Sequence, residues 1–137
     1  MQLKRETEYA LRILFRVVEN GNGVDGPPAG LNLLEICTDT GVPRTAAQRI
    51  CEQCEAAGLL RSELTANRER QYFPGQALDS ESLGGVIALM ENGTNLFAVF
   101  DRGSAMYRSQ GRRFEEIQTS VQKILGNIKI SDLLARE

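Results

Sequence analysis

The chain has 137 residues, of which 42% are hydrophobic and 25% are charged, and its formal net charge is −2. This composition is typical of an ordinary soluble globular protein, and the length suits one domain with an additional helix. No apolar run approaches the roughly 20 residues that a membrane span needs, and residues 1–10 hold no hydrophobic signal core. We therefore expect a cytoplasmic protein with no membrane partner.

The chain has no histidine and three cysteines. Without histidine, Ser-His-Asp and Cys-His catalysis and the usual zinc sites are excluded, although carboxylate or lysine chemistry stays open. An odd number of cysteines argues against a disulfide framework and fits a reducing compartment. We expect a non-enzyme with no catalytic residue, cofactor or metal.

Residues 3–19 are predicted to form the first helix, which has two apolar stripes. The stripes are Ala10, Ile13, Leu14 and Val17, and Leu11, Phe15 and Val18. A helix that is apolar on two sides must be covered on both sides. One side can pack against the rest of the N-terminal half, and the other requires either a C-terminal helix or a second subunit. Residues 20–30 hold four glycines and two prolines, which predicts a connecting loop rather than a phosphate-binding one.

Residues 31–60 have the pattern of a helix-turn-helix, around which the chain is organised. Its first helix is predicted over residues 33–39, with an inner face of Leu33, Leu34, Ile36 and Cys37. Gly41 supplies the tight turn, because glycine adopts a positive φ without steric cost. Pro43 fits the first position of the second helix, which extends to about residue 57 and is ended by Gly58.

The second helix of this motif has a core-facing side and a polar side. The core stripe, at i, i+3, i+4 and i+7, is Ala47, Ile50, Cys51 and Cys54. The residues that point the other way are Thr45, Gln48, Arg49 and Glu52. Arg44 and Arg49 come early in the helix and Glu52 and Glu55 come late, so its N-terminal end is the end suited to DNA.

Residues 59–64 and 71–73 partly alternate between apolar and polar types around a polar tip, which predicts a β-hairpin. A hairpin directly after a recognition helix is the wing of a winged helix. Arg68 and Arg70 at its tip are expected to reach phosphates or the minor groove. The alternative is a solvated loop, in which Glu69 offsets part of the charge.

Three helices are predicted in the C-terminal half of the chain. A helix over residues 79–92 would be capped near Asp79 or Ser80, with an inner stripe of Leu83, Val86, Ile87 and Met90. Residues 93–111 show no clear period, and residues 130–136 form a last short helix. A long helix over residues 112–128 carries a seam of period 3.5, made of Phe114, Ile117, Val121, Ile124 and Ile128. Dimerisation through this seam is favoured, with packing on its own domain as the alternative.

The charge balance does not by itself favour a nucleic-acid partner. Residues 1–76 carry nine Lys and Arg against ten Asp and Glu, so a broad basic footprint is missing. Local placement decides instead, because salt screens exposed charges over about 10 Å.

Short motifs occur in a specific order along the chain. They are Glu8-Tyr9-Ala10-Leu11-Arg12, Leu34-Glu35-Ile36, Gly41-Val42-Pro43, Arg49-Ile50, Ala57-Gly58-Leu59-Leu60 with Ser62, and Ser131-Asp132-Leu133-Leu134. This series resembles the Rrf-two family of bacterial winged-helix transcription regulators. The resemblance implies a homodimer that reads a palindromic operator, with a long C-terminal helix as the dimer contact, and a repressor role.

The sequence departs from that family pattern in three places. Arg70-Gln71-Tyr72 keeps only the tyrosine of the family's glycine-rich wing, and Ala46-Ala47-Gln48 replaces an aromatic, Leu and Glu, so the base preference should differ. Cluster-binding members place three cysteines between the fourth helix and the long helix, where residues 91–113 have none. We therefore expect no iron–sulfur cluster and a structural role for Glu8, which stands where some members have an acidic cluster ligand.

The three cysteines, Cys37, Cys51 and Cys54, are predicted to be core residues. Cys51 and Cys54 form a C-x-x-C, but inside a helix and on its core side, whereas redox pairs need an exposed thiolate at a helix start. Thiol sensing is the alternative.

The sequence thus predicts a mainly α fold with a small β-hairpin wing: a winged helix-turn-helix DNA-binding domain in residues 1–76, and a helical effector region with a dimerisation helix in residues 77–137. Its expected partners are double-stranded DNA and a second copy of the chain. For the effector the alternatives are a small molecule of unknown identity, a partner protein, or no effector. Thr45, Gln48 and Arg49 are expected to face bases. The residues expected near phosphates, each with ordinary surface charge as the alternative, are Lys4, Arg5, Arg44, Arg61, Arg68 and Arg70. The alternative function is a winged-helix protein-interaction module without specific DNA binding.

Overall fold

The fold is that of a computed structural model, which describes residues 3–21, 30–91 and 105–134, without the side chains of residues 21, 105–112 and 114. The helices are α1 (Arg5–Gly21), α2 (Leu33–Thr40), α3 (Arg44–Ala56), α4 (Leu83–Glu91), α5 (Ala105–Gly126) and α6 (Ile130–Leu134). The strands are β1 (Leu31–Asn32), β2 (Leu60–Leu64) and β3 (Arg70–Pro74), and a 3₁₀ helix, Gln76–Ser80, follows β3. Within the described ranges, no helix combines the length and apolarity that crossing a bilayer requires.

The architecture is a winged helix-turn-helix, mainly helical with a small antiparallel sheet, as the sequence predicts. The helix-turn-helix is formed by α2 and α3, and β2 and β3 form the hairpin that follows it. The sheet has the order β1-β3-β2, with Tyr72 of β3 paired to Leu31 on one side and Ser62 on the other. Strand β1 is absent from the sequence prediction, because two residues are too few to show a period of two.

Helix α1 is the centre of the core and contacts α2, α3, α4 and β3. All four residues of its first predicted stripe are buried, which confirms that stripe. Leu11, Phe15 and Val18 of the second stripe are half-buried and pack against the edge of the core. The helix begins and ends two residues later than predicted.

Capping groups fix the ends of α2. Asn32 Oδ1 accepts a hydrogen bond from the backbone N–H of Glu35 at 2.8 Å, and Glu35 Oε1 accepts one from the N–H of Asn32 at 3.2 Å. This reciprocal capping box satisfies two donors at the start of the helix. At the other end Gly41 has a φ of 75°, as predicted, and its N–H donates to the carbonyl of Cys37 at 2.9 Å.

Two predictions for the helix-turn-helix are wrong in detail. Leu34 is 67% exposed rather than on the inner face of α2. Because the helix begins at Leu33, its inner side passes through Ile36, and position 34 is turned by about 100° away from position 33. Pro43 precedes α3 instead of beginning it, because its ψ of 144° is not helical.

The connection from β3 to α4 also differs from the prediction. Asp79 and Ser80 belong to the 3₁₀ helix, and Ser82 caps α4 by accepting the N–H of Gly85 at 3.0 Å. The predicted inner stripe is confirmed at Val86, Ile87 and Met90, which are buried.

Helix α5 packs on α4, and α6 packs on the 3₁₀ helix and on α1. A Cβ on Gly84 would lie 3.1 Å from Leu125 Cβ, so glycine allows α4 and α5 to approach closely. The N–H of Leu83 donates to the carbonyl of Ile128 at 2.6 Å, and the N–H of Ile130 donates to that of Glu81 at 3.1 Å.

The predicted seam lies on α5 except for Ile128, since α5 begins seven residues earlier than the predicted helix and ends two residues earlier, at Gly126. Ile117 is 50% exposed and Ile124 is 61% exposed, whereas Val121 and Ile128 are half-buried. The side chain of Phe114 and most of residues 93–111 lie outside the described part. A helix face with two exposed isoleucines is a candidate contact surface.

Candidate nucleic-acid interface

Helix α3 presents a polar flank to solvent. Its core side is formed by Ala47, Ile50, Cys51 and Cys54, all buried as predicted. Thr45, Gln48 and Arg49 are exposed on the opposite side. Because successive helical residues are turned by about 100°, Gln48 and Arg49 lie on either side of Thr45. The three side chains are therefore accessible to a macromolecular partner.

A groove separates α3 from the hairpin and holds residues of both. It is lined by Asn32, Leu33, Leu34, Arg44, Gln48, Glu52, Glu69, Arg70 and Tyr72. The structure therefore brings together three of the predicted site residues, Arg44, Gln48 and Arg70. The two carboxylates in the same groove, Glu52 and Glu69, reduce its positive potential.

The hairpin tip is tied to the start of α2. Asn32 Nδ2 donates a hydrogen bond to Glu69 Oε1, so one side chain caps α2 and also holds the turn. Within the turn, the N–H of Thr65 donates to the carbonyl of Glu69 at 2.8 Å, and the N–H of Arg68 donates to that of Thr65 at 2.9 Å. These bonds hold Arg68 with a φ of 60°, a left-handed conformation. The predicted wing is thus fixed relative to the helix-turn-helix.

Arg70 is positioned by a chain of two hydrogen bonds that ends on α3. Arg70 Nη1 donates to Ser62 Oγ at 2.6 Å, and Ser62 Oγ donates to Glu55 Oε1 at 2.6 Å. The chain joins both hairpin strands to α3. Arg70 therefore has less freedom to move toward a phosphate than Arg68.

Arg61 lies on the other face of the hairpin. Its guanidinium stacks on the ring of Phe73 at 4.3 Å and donates to Glu63 Oε1 at 2.5 Å. Neighbouring residues of a strand point to opposite faces, and Ser62 and Tyr72 share the face that meets α3. The structure thus separates Arg61 from the groove.

The flank of α3 away from the hairpin meets the first turn of α1. A second depression is lined by Lys4, Glu6, Arg49, Gln53 and Met90. Arg49 Nη2 lies 3.6 Å from Glu6 Oε1, in an ion pair whose side chains are 54% and 42% exposed. Lys4 and Arg5 are exposed at this end.

Arg44 and Arg68 differ from these engaged side chains. In the part of the chain that the structure describes, neither forms an ion pair within 4 Å. Both are exposed, and they lie on the two elements that flank the groove. An unpaired arginine is the group most readily available to a phosphate, because no protein contact must be broken.

The cysteines lie beneath the candidate interface. Cys51 and Cys54 are buried and Cys37 is half-buried, all as free thiols. Burial, with the neighbouring cysteines and glutamates, raises the pKa of Cys51 to about 12, and burial alone raises the pKa of Cys54 to about 12. Neither thiol is ionised at neutral pH. Over the described residues, no group of three His, Cys, Asp or Glu side chains is arranged to hold a metal.

Three features of the interface escape sequence reasoning: the Asn32–Glu69 bond, the chain from Arg70 to Glu55, and the Arg49–Glu6 pair. Asn32 and Glu69 lie 37 positions apart in the sequence, and Glu6 and Arg49 lie 43 positions apart. Only the capping-box spacing of Asn32 and Glu35 was available as a local signal.

Comparison with solved structures shows a similarity of fold over nearly the full length of the chain. No family model and no curated protein matches the sequence. The structure of CymR (YrzC), the global cysteine regulator of B. subtilis, matches 100% of this chain and 98% of its own, with a TM-score of 0.76 and 16% identity. IscR of T. potens matches 99% of this chain and 88% of its own, with a TM-score of 0.71 and 15% identity.

A third structure, the oxidized form of Staphylococcus aureus CymR, matches 98% of this chain and 96% of its own, with a TM-score of 0.72 and 16% identity. Identities this low establish a common fold and not a common activity. The chain therefore has the same overall fold as CymR and IscR, from α1 to the C-terminal helices.

Proposed function

We propose that this chain is a sequence-specific DNA-binding regulator of transcription. The single observation that carries the proposal is the exposed Thr45, Gln48 and Arg49 flank of α3, beside a hairpin that bears Arg68 and Arg70. A helix of this size enters the major groove, while a wing reaches the adjacent backbone. The similarity of the fold to CymR and IscR supports the same assignment.

Each polar side chain then has an expected contact. Arg49 would pair with a guanine and Gln48 with an adenine, each worth about 1–3 kcal/mol of discrimination. Thr45 would lie against a base edge between them. Arg44 and Arg68 would bind phosphates, with Arg70, Lys4 and Arg5 nearby. Arg61, which stacks on Phe73 away from the groove, is the weakest of these candidates.

We propose further that the regulator acts as a homodimer on a palindromic operator. The exposed isoleucines of α5, Ile117 and Ile124, support a contact between two copies. In a dimer, two α3 helices would lie about 34 Å apart, one turn of DNA. A repressor role rests on the family resemblance alone. Residues 1–76 would read DNA, and residues 77–137 would hold the dimer contact and receive any effector signal, for which residues 93–111 are our candidate.

A protein-interaction module is the second candidate function. The observation in its favour is the acidic share of the same surface, where Glu6, Glu52 and Glu69 lie among the arginines. Mixed charges of this kind suit a protein partner as well as a duplex. Measured affinity for bulk duplex DNA at low salt separates the two candidates, since only a DNA-binding protein would bind it.

The proposal predicts different defects for two arginines. In titrations against a library of duplexes, Arg49→Ala should relax sequence preference, because a base contact is lost. Arg68→Ala should weaken binding to all duplexes equally. The slope of log affinity against log salt concentration should fall by about one, as expected for the loss of one phosphate contact. Unchanged binding in both variants would remove this face from the proposed interface.

A further inference from the structure

We propose that Glu6 is a specificity-determining residue, which holds the Arg49 guanidinium in place for a base edge and keeps it away from phosphates. This inference rests on the proposed function. It concerns a carboxylate on α1, outside the helix-turn-helix and the wing.

The first turn of α1 anchors the backbone that carries Glu6. The backbone N–H of Lys4 donates to Glu91 Oε1 at 2.8 Å, and the N–H of Thr7 donates to the carbonyl of Lys4 at 3.1 Å. The side chain of Thr7 is completely buried beside it. An acidic residue is also favoured at a helix N-terminus, where the macrodipole is positive. The backbone that carries Glu6 is therefore anchored, while the Glu6 side chain is 42% exposed and the Arg49 side chain is 54% exposed.

The geometry of the pair leaves Arg49 able to bind a base. Arg49 Nη2 is the atom that lies near Glu6 Oε1. A guanidinium has five N–H donors in a planar fork, so a carboxylate at one nitrogen leaves other donors for the acceptors of a guanine. A carboxylate on the α1 side also limits the rotamers of a long side chain. Arg49 would thus be oriented before it meets the duplex.

The same carboxylate opposes binding to phosphate. A phosphate bound by Arg49 while the ion pair persists would lie close to the carboxylate of Glu6, and the two negative charges would repel each other. A base edge carries no net charge and avoids this repulsion. Because phosphate contacts dominate binding to non-cognate DNA, Glu6 would lower non-cognate affinity more than operator affinity.

The test compares Glu6→Gln with the wild type on two duplexes of equal length: one selected by the wild type from a random library, and a shuffled version. An exposed ion pair is worth at most a few-fold in affinity. We expect Glu6→Gln to bind the shuffled duplex about threefold to fivefold more tightly, with less than about twofold gain on the selected duplex. The affinity for the shuffled duplex should also depend more steeply on salt concentration, by the amount expected for about one additional phosphate contact.

Glu8→Gln is the matched control. Glu8 lies in the same turn and carries the same charge, but it pairs with Arg12 at 2.6 Å instead of Arg49. An equal loss of discrimination in both variants, or none in Glu6→Gln, would overturn the assignment. In an Arg49→Ala background, Glu6→Gln should have no more effect than Glu8→Gln. A wild type that prefers no duplex would instead refute the proposed function itself.

Discussion

At the scale of single residues, the solvent-facing side and the core-facing side of α3 have opposite chemistry. The outer flank consists of hydrogen-bonding side chains, and the inner stripe includes Cys51 and Cys54, both completely buried. Sulfur in this setting acts as a small apolar group. The sequence predicts this role from position alone, because both cysteines fall on the stripe that includes Ile50.

The raised thiol pKa values predict a pH dependence of stability. An unfolded thiol ionises near pH 9, whereas folded Cys51 and Cys54 ionise near pH 12. The folded state thus holds the protons more tightly. The resulting stability is fully present below pH 9 and is lost as the pH rises from about 9 to 12. Urea unfolding should show a lower midpoint at pH 10 than at pH 8.

Alkylation provides a second readout of the same prediction. At pH 8, native protein should expose one rapidly reacting thiol, that of half-buried Cys37, and unfolded protein should expose three. Cys51→Ala should flatten the pH dependence of the urea midpoint. Rapid native-state modification of all three thiols would instead favour a sensing role.

At the scale of elements, Asn32 links the helix-turn-helix to the hairpin. It caps α2 and also donates to Glu69 in the wing turn. Asn32→Ala should lower the free energy of unfolding by about 1–2 kcal/mol, because a cap and a hydrogen bond are both lost. Thermal or urea unfolding measures this loss.

Asn67→Ala is the control for that change. Asn67 is an exposed residue of the same turn, and its substitution should shift the free energy of unfolding by less than about 0.5 kcal/mol. Asn32→Asp should keep the cap and lose the bond to Glu69, giving an intermediate loss. A destabilisation by Asn67→Ala as large as that of Asn32→Ala would contradict the linking role.

The elements also show what local sequence patterns determine. The period of 3.6 predicts α1, α2 and α3 to within about two residues at each end, because an amphipathic helix repeats its burial every turn. Gly41 and Gly58 mark helix ends correctly, since both adopt positive φ. Pro43 is misplaced by one position, because proline also suits the residue before a helix.

Features that depend on distant parts of the chain are not predictable in this way. Strand β1 exists because Leu31 and Asn32 pair with β3, about forty positions later. Leu34 looks apolar enough for a core but falls on the outer side of α2. The engagement of Arg49 and Arg61 by Glu6 and Phe73 likewise follows from the folded arrangement and not from charge counts.

At the scale of the whole molecule, a single copy offers one α3 helix, while a palindromic operator needs two. The proposed dimer contact contains Ile117 and Ile124. Ile117→Glu with Ile124→Glu should shift sedimentation from dimer to monomer at micromolar concentration, because four charges would enter an apolar contact. The doubly substituted protein should also lose most of its affinity for a two-site duplex.

Thr119→Glu provides the control on the same helix. Thr119 is exposed and lies about 160° from Ile117 around α5, so its substitution should leave the dimer intact. A wild type that sediments as a monomer at every concentration would contradict the dimer.

The central claim is that the outer flank of α3 reads bases in two symmetric copies. Its most direct test is selection from a random duplex library with the wild type and with Gln48→Ala. The wild type should enrich an inverted repeat whose half-sites lie about one helical turn apart, and Gln48→Ala should lose preference at one position in each half-site. No enriched motif with the wild type, or an unchanged motif with Gln48→Ala, would contradict the claim.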